Sequence, residues 1–246
     1  MIRAIELHKR FGAHEVLRGL SLDFPPETTT VILGGSGSGK SVFMKHLIGL
    51  LRPDSGQVLI DGEDLAHLRG RELHRVRRKF GMVFQMAALF DSMSVLDNVA
   101  FPLREHAKDM TEGSRRRKAM ERLEALGLAG AADKFPAELS GGMRKRVGLA
   151  RAVILDPKVV LYDEPTTGLD PITTRSVDDM IQDAKTRFGV TSVVISHDIA
   201  SSFRIADRLA FLHEGEIVEL GAPSGFREST HPAVRRFLDF GYEVSA

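Results

Sequence analysis

A glycine-rich turn between an apolar run and a helix-compatible segment constrains the fold of this chain more than any other feature. The apolar run is Val31-Ile32-Leu33, and residues 34–41 then read Gly-Gly-Ser-Gly-Ser-Gly-Lys-Ser. This order matches G-x-x-x-x-G-K-[S/T], in which a strand leads through a phosphate-binding loop into a helix. It therefore predicts an α/β fold in which a buried strand presents the loop at the edge of a parallel sheet.

The loop has the chemistry of a phosphate cradle. Its glycines let backbone N–H groups close around phosphate oxygens, and the dipole of the following helix favours negative charge. The Lys40 ammonium would reach the β- and γ-phosphates, and the Ser41 hydroxyl would ligate Mg²⁺. A flexible loop with a chance Lys-Ser pair is the weaker alternative. The predicted nucleotide-binding residues are Gly34, Gly35, Ser36, Gly37, Ser38, Gly39, Lys40, Ser41 and Val42.

Composition narrows the class of protein. The 246 residues suffice for one large α/β domain or two small ones. The formal net charge of +1 gives no reason to expect a nucleic-acid partner, and the absence of cysteine removes disulfides and thiolate metal sites. Charged residues between Arg3 and Arg10 argue against a signal peptide, and no apolar run approaches the ~20 residues that span a bilayer.

The order of apolar runs predicts the organisation. We expect short strands from Ile2 to Phe24, a strand at 30–33, and a helix after the loop that includes Ile48 and Leu51. Residues 86–155 are predicted to be a helical insertion, after which buried parallel strands return. The predicted boundaries are a catalytic domain over residues 1–223 and a helical tail over residues 224–246.

Two further motifs accompany the loop. A hydrophobic strand over residues 159–162 ends in Asp163-Glu164, which would deliver a carboxylate for Mg²⁺ and another to polarise an attacking water. In a separate segment, Ser140 is predicted to cap a helix whose first residues are glycines, which would make a second anion site. Two separated γ-phosphate sites on one chain suggest that two copies face each other head to tail. The segment is Leu139, Ser140, Gly141, Gly142 and Met143.

With these motifs, the chain resembles the nucleotide-binding subunit of an ATP-binding cassette (ABC) transporter from Ile2 to Leu220. The resemblance implies a P-loop NTPase with a RecA-like parallel-sheet core, an N-terminal antiparallel β subdomain and an inserted helical subdomain. Its cofactors would be ATP and Mg²⁺. Segment 139–143 resembles the family signature, which would contact ATP bound to a second copy, and Met143 stands where glutamine is most common.

The resemblance also implies individual roles. Phe11 would stack on adenine, and Gln85 would contact ATP and Mg²⁺ beside Ser41 and Asp163. Glu164 and His197 would be catalytic, and Asp170 would belong to the D-loop. Val42 departs from the second hydroxyl residue that many members carry, which leaves the Mg²⁺ role with Ser41.

A finer resemblance points to the lipid-transporting Mla or MCE-type systems. It rests on Ser140–Met143, on residues 84–92 and 98–105, and on the tail sequence from His231 to Leu238. It implies a homodimer at the cytoplasmic face of the bacterial inner membrane, bound to permease subunits and an MCE-type lipid-binding protein, without nucleic acid. We expect a groove for a permease helix to involve some of Met86, Leu89, Phe90, Phe101 and Leu103, although core packing explains each residue equally well.

Three rival interpretations remain at this point. The chain could energise import of a small polar solute such as an amino acid. It could be a soluble ABC ATPase acting on nucleic acid or ribosomes, although these usually carry two cassettes or a coiled coil, and no heptad run is present. It could also be a P-loop kinase, against which the second anion site argues.

Overall fold

The computed structural model describes residues 2–243, with side chains as far as Asp239. The chain divides into two compact units. The first unit is formed by the residues up to Arg77 together with those from Thr191 onward, and the second is Arg78–Val190. Residues 244–246 of the predicted tail, and Met1 of the predicted catalytic domain, lie outside the described residues.

The first unit contains an antiparallel sheet. Its strands are β1 (Ile2–Phe11), β2 (His14–Phe24), β4 (Ser55–Ile60) and β5 (Glu63–Asp64), in the order β2-β1-β4-β5. The prediction of an N-terminal antiparallel part is confirmed, but its first strands are long instead of short. Irregularities in the β1–β2 register, one beside the positive φ of Glu6 at 48°, interrupt the alternation by which strand length is judged in a sequence.

A second group of strands in this unit is mixed. Strand β3 (Thr29–Leu33) pairs in parallel with β8 (Thr191–Ile195) on one side and with β9 (Arg208–His213) on the other. Strand β10 (Glu216–Gly221) adds antiparallel to β9. Every residue of β3 and β8 is buried, as expected for a parallel sheet covered on both faces.

Helices of the first unit cover these strands. Helix α1 follows the phosphate loop, and its Phe43 ring stacks on Phe24 of β2 at 6.3 Å between centroids. The predicted extension of α1 to Ile48 and Leu51 is wrong, because the helix ends at Leu47 and Gly49 takes a left-handed φ of 66°. The helices are α1 (Lys40–Leu47), α2 (Gly70–Arg77), α7 (Ile199–Ile205), α8 (Pro223–Arg227) and α9 (Pro232–Glu243).

The tail packs on its own chain. Val234 and Leu238 of α9 are buried, and the Phe237 ring lies edge-on to Phe211 of β9 at 5.1 Å. The sequence left open whether this segment docks on its own chain or on a second copy. The structure places its apolar side chains against β9 of the first unit.

The second unit is mainly helical. Strands β6 (Phe80–Val83) and β7 (Val159–Asp163) pair in parallel, and a side chain caps the first turn of each of the four helices. Two short 3₁₀ helices, Ala129–Ala131 and Pro136–Glu138, precede the signature segment. The four helices are α3 (Val95–His106), α4 (Glu112–Ala125), α5 (Gly141–Val153) and α6 (Pro171–Phe188).

Candidate nucleotide-binding site

The phosphate loop leaves β3 and enters α1 as the sequence predicts. A Cβ on Gly34 would lie 2.3 Å from the carbonyl oxygen of Leu212, so only glycine fits there. A Cβ on Gly39, whose φ is 107°, would lie 3.1 Å from the Val16 carbonyl oxygen. A Cβ on Gly35 or Gly37, in contrast, would meet nothing within 4 Å. The loop is therefore anchored at both ends and open in the middle.

Lys40 and the start of α1 make this open region positive. The Lys40 ammonium is drawn back over the loop and donates to the carbonyl oxygens of Gly34 and Gly35 at 2.7 and 2.8 Å. The first turn of α1 has neither a capping side chain nor an acidic residue, so its N–H groups face no competing protein anion in that turn. The buried Ser38 hydroxyl has no hydrogen-bond partner among the described protein atoms, and it could donate a hydrogen bond to a phosphate oxygen. These features fit a triphosphate.

His197 lies at the same sheet edge as this loop. Because β3 and β8 run in parallel with Ile32 opposite Ile195, both strands end at one edge. The Ser196 amide donates to the Ile32 carbonyl oxygen at 3.2 Å, and the exposed His197 follows directly. Asp198 then caps α7 through the Ser201 amide, which fixes the backbone on the far side of the histidine.

Phe11, the predicted adenine contact, is the last residue of β1 and is 48% exposed. The Lys9 ammonium lies 5.5 Å from the centroid of its ring. Asp54 binds the two residues that precede Phe11. It accepts hydrogen bonds from Lys9 Nζ and from the Arg10 amide, at 2.7 Å each. The hydrogen bond from Lys9 is the main reason why the pKa of Asp54 is lowered. One face of the ring thus has a cation, which leaves the other for a base.

In the second unit, Gln85 and the acidic pair share a strand edge. Strands β6 and β7 run in parallel with Val83 opposite Tyr162, so Gln85 and Asp163 follow at the same end. Glu164 has a φ of 48°, and its carboxylate accepts a hydrogen bond of 2.7 Å from Thr167 Oγ1. The hydroxyl of Thr167 thereby helps to orient the carboxylate of Glu164, and the motif pattern alone did not predict this contact.

The signature segment forms the predicted capped helix start. Ser140 Oγ accepts from the Met143 amide at 3.3 Å, and Ser140 itself is exposed. The predicted D-loop residue Asp170 caps α6, accepting from the amides of Ile172 and Thr173 at 3.0 Å each. The Thr173 hydroxyl contributes most to the lowered pKa of Asp170. A Cβ on Gly142 would lie 3.4 Å from the Thr173 methyl group, so the two helix starts are neighbours in this unit.

The proposed Mg²⁺ donors are a hydroxyl, an amide and a carboxylate, from Ser41, Gln85 and Asp163, and oxygen donors of this kind suit Mg²⁺. The described residues contain no cluster of three or more His, Cys, Asp or Glu side chains that could hold a metal by itself. This donor chemistry fits an ion that is bound together with phosphate oxygens. The assignment of the three residues to Mg²⁺ stays a prediction.

Sequence reasoning missed the basic residues of α5 that face the Gln85 segment. Lys145 donates to the Gln85 carbonyl oxygen, and Arg151 donates to the Ala87 and Ala88 carbonyl oxygens at 2.7 and 2.8 Å. A signal was present in the sequence, because Lys145, Gly148 and Arg151 recur every three residues and so share a helix face.

A parallel sheet that feeds a phosphate loop, together with a strand ending in an acidic pair and a second glycine-headed helix, defines an ATP-binding cassette ATPase. The family profile described as "ABC transporter" matches residues 17–167, and the chain belongs to this family. The predicted fold class is thereby confirmed, as is the prediction of an ABC-type ATPase.

Curated relatives cover most of the chain. It is 44% identical over 233 residues, 95% of its length, to the "Probable ribonucleotide transport ATP-binding protein mkl" of Mycobacterium leprae, and spans 67% of that protein. It spans 65% of the protein of the same name from Mycobacterium tuberculosis. It is 41% identical over 93% of its length to the "Intermembrane phospholipid transport system ATP-binding protein MlaF" of Escherichia coli K12, and spans 84% of that protein.

A solved structure agrees with the fold. A dimeric post-hydrolysis state of the ATP-binding cassette MJ0796, bound to ADP and Pi, has a TM-score of 0.79 and 31% sequence identity. The match covers 91% of this chain and 99% of that one. Among residues 2–243, no helix has the length and apolar character needed to cross a membrane.

Proposed function

We propose that this chain is the ATP-hydrolysing subunit of a membrane transporter that moves phospholipid between bacterial membranes. The observation that carries the proposal is the 41% identity to MlaF over 93% of the chain, which includes the whole phosphate loop and the acidic pair. The chain also spans more of MlaF, at 84%, than of the mycobacterial relatives. A match over most of both lengths to a protein named for phospholipid transport supports phospholipid as the substrate.

The catalytic unit in this proposal is a homodimer. The phosphate loop of one copy holds ATP, and the Ser140-headed helix of the other copy closes it. Support comes from the exposure of Ser140 at the glycine-headed start of α5 and from the dimeric state of the MJ0796 cassette. Lys40 neutralises phosphate charge, Glu164 orients the attacking water, and His197 contacts the γ-phosphate. Bound Mg²⁺ would neutralise further phosphate charge beside Ser41, Gln85 and Asp163.

The membrane partner is a permease that contacts the surface after Gln85. Met86 is 83% exposed and Phe90 is 41% exposed, which suits an apolar contact with a partner. Phe90 packs on Phe101 at 4.8 Å, whereas Leu103 is buried and belongs to the core, not to this surface. The location at the cytoplasmic face of the inner membrane and an MCE-type protein in the complex are parts of the same proposal.

A second candidate substrate is a ribonucleotide, which the name of the mycobacterial relatives indicates. Import of another small polar solute, such as an amino acid, has less support, because none of these relatives is named for one. Both share the ATPase cycle, so only a transport measurement separates them from the lipid proposal.

The deciding experiment reconstitutes the chain with its permease in liposomes. We expect ATP-dependent transfer of a fluorescent phospholipid to acceptor vesicles, and no ATP-dependent uptake of labelled ribonucleotide. Glu164→Gln should retain ATP binding, abolish turnover and accumulate an ATP-bound dimer. Ribonucleotide uptake without lipid transfer would reject phospholipid as the substrate, and rapid turnover by Glu164→Gln would reject the role of Glu164.

A matched pair of variants tests the permease contact. Phe90→Asp should release the permease while leaving the fold intact. Phe135→Asp, at another exposed phenylalanine with 47% exposure, should keep it bound. Retained assembly with Phe90→Asp would reject the proposed surface.

A further inference from the structure

One face of helix α5 is shaped to receive the backbone of β6 and of the turn that follows it. A Cβ on Gly81 of β6 would lie 2.4 Å from the Ala152 carbonyl oxygen, so the strand and the helix touch through backbone atoms. Further along the same face, a Cβ on Gly148 would lie 3.4 Å from the Ala87 side chain. Small residues at 81, 148 and 152 therefore bring residues 85–88, hereafter the Gln85 turn, onto the helix surface.

Two long basic side chains flank this contact. Lys145, one turn before Gly148, is 5% exposed and donates to the Gln85 carbonyl oxygen. Arg151, one turn after Gly148, uses both terminal nitrogens, at 2.8 Å to the Ala88 carbonyl oxygen and 2.7 Å to that of Ala87. Three of the four carbonyl groups of the Gln85 turn thus accept hydrogen bonds from one helix.

The turn has a conformation that its own residues do not favour. Ala87 and Ala88 have φ values of 57° and 48°, in the left-handed region where a Cβ crowds the following carbonyl group. Residues hold such a conformation only when their surroundings fix it. The Arg151 fork binds the carbonyl groups of these same two residues, and the Ala87 amide donates to the Phe84 carbonyl oxygen at 2.9 Å.

We propose that Lys145 and Arg151 are positioning residues that clamp the Gln85 turn to helix α5. Gln85 and the Ser140-headed start of α5 then shift as one body, and a partner that presses on Met86 moves both. The clamp is read from the contacts above, and its consequence for ATP turnover rests on the proposed function.

The test measures the turn directly and the catalysis separately. Lys145→Met keeps an apolar stem but removes the donor, and Lys145→Arg restores one. Arg151→Lys keeps the charge but cannot reach two carbonyl groups with a rigid fork. Lys134→Met, at an exposed lysine of the same unit, is the matched control. Circular dichroism and thermal melts first establish that each variant is folded.

Amide hydrogen exchange of the full-length protein without nucleotide gives the first measurement. We expect Lys145→Met and Arg151→Lys to raise exchange of residues 86–90 at least tenfold, Lys145→Arg to restore much of the protection, and Lys134→Met to match the parent. Unchanged exchange in folded Lys145→Met and Arg151→Lys would overturn the clamp, whether or not the protein hydrolyses ATP.

The second measurement is ATP turnover against Mg²⁺ concentration. We expect a severalfold higher half-saturating Mg²⁺ concentration and a lower kcat in the two clamp variants, with affinity for metal-free ATP within twofold of the parent. Raised exchange with parental Mg²⁺ dependence and kcat would overturn the positioning role. Absence of ATPase activity in the parent itself would instead reject the proposed function, while the exchange result would still decide the clamp.

Discussion

Thr167 Oγ1 donates a hydrogen bond of 2.7 Å to the carboxylate of Glu164, three residues earlier in the turn after β7. The backbone of Glu164 has a left-handed φ of 48°, which is uncommon for a residue other than glycine. The hydroxyl of Thr167 therefore helps to set the direction in which the proposed catalytic carboxylate points.

Removing this hydroxyl should slow ATP turnover. Thr167→Val conserves shape but deletes a hydrogen bond to a charged group, a contact worth about 1.5 kcal/mol or more, which corresponds to a drop in kcat of roughly tenfold. Thr167→Ser should retain most of the activity, and KM for ATP should change little in either variant. Steady-state kinetics decide, and equal kcat values for Thr167→Val and the parent would contradict the role.

The ring of Phe11 should depend on Asp54. Asp54→Ala frees the Lys9 ammonium, which lies against the Phe11 ring, and the Arg10 amide just before it in the chain, so the ring loses its fixed cation. A cation–π contact at an exposed site is worth about 0.5–1 kcal/mol, so we expect ATP affinity to fall roughly two- to fivefold. Calorimetric titration with ATP and with inorganic tripolyphosphate measures this. An equal loss for both ligands would indicate a general structural effect instead.

The close contact of β6 with α5 should make Gly81 irreplaceable. Gly81→Ala places a Cβ against the Ala152 carbonyl group and should lower the free energy of unfolding by about 3 kcal/mol. Gly113→Ala is the control, because a Cβ there meets nothing within 4 Å and its helical site should gain about 0.5–1 kcal/mol. Urea unfolding compares the two, and a neutral Gly81→Ala would show that the strand can move away from the helix.

The ion pairs around Arg104 should give a pH-dependent contribution to stability. Arg104 is the main cause of the lowered pKa values of Asp97 and Glu112. A lowered carboxyl pKa in the folded state stabilises the protein above the unfolded pKa, 3.8 for Asp97, and this contribution disappears as pH falls through the folded value.

Arg104→Met should therefore lower the free energy of unfolding at pH 7, and only modestly, since the groups are partly exposed to solvent. The difference from the parent should shrink below about pH 4. Arg117→Met, at a nearby exposed arginine, should show no such trend. Urea titrations between pH 3 and 7 measure it, and a difference that is constant over this range would contradict the assignment.

The sequence predicted those parts of the fold and site that depend on neighbouring residues. The strand before Gly34, the Ser140 cap and the strand that ends at Asp163 all follow from local steric and hydrogen-bonding rules. The order of the motifs was enough to indicate the family, which the family comparison then confirmed.

Contacts between distant segments could not be predicted in this way. Apolar periodicity gave Met86 and Leu103 equal weight, yet Met86 is exposed and Leu103 is buried, because burial depends on which helix faces which. The same holds for Lys145, whose partner lies 60 residues earlier in the chain. Irregular register in β1 and the left-handed Gly49 shifted element ends that the apolar pattern alone placed elsewhere.

The seating of Phe237 on Phe211 has a practical meaning for anyone shortening this protein. A version that stops before Pro232 would expose to solvent the apolar surface of β9 on which Phe237 packs. We expect this exposed surface to promote self-association that does not depend on nucleotide. Trimming should therefore begin after Asp239, and affinity tags at that end should be joined through a flexible spacer.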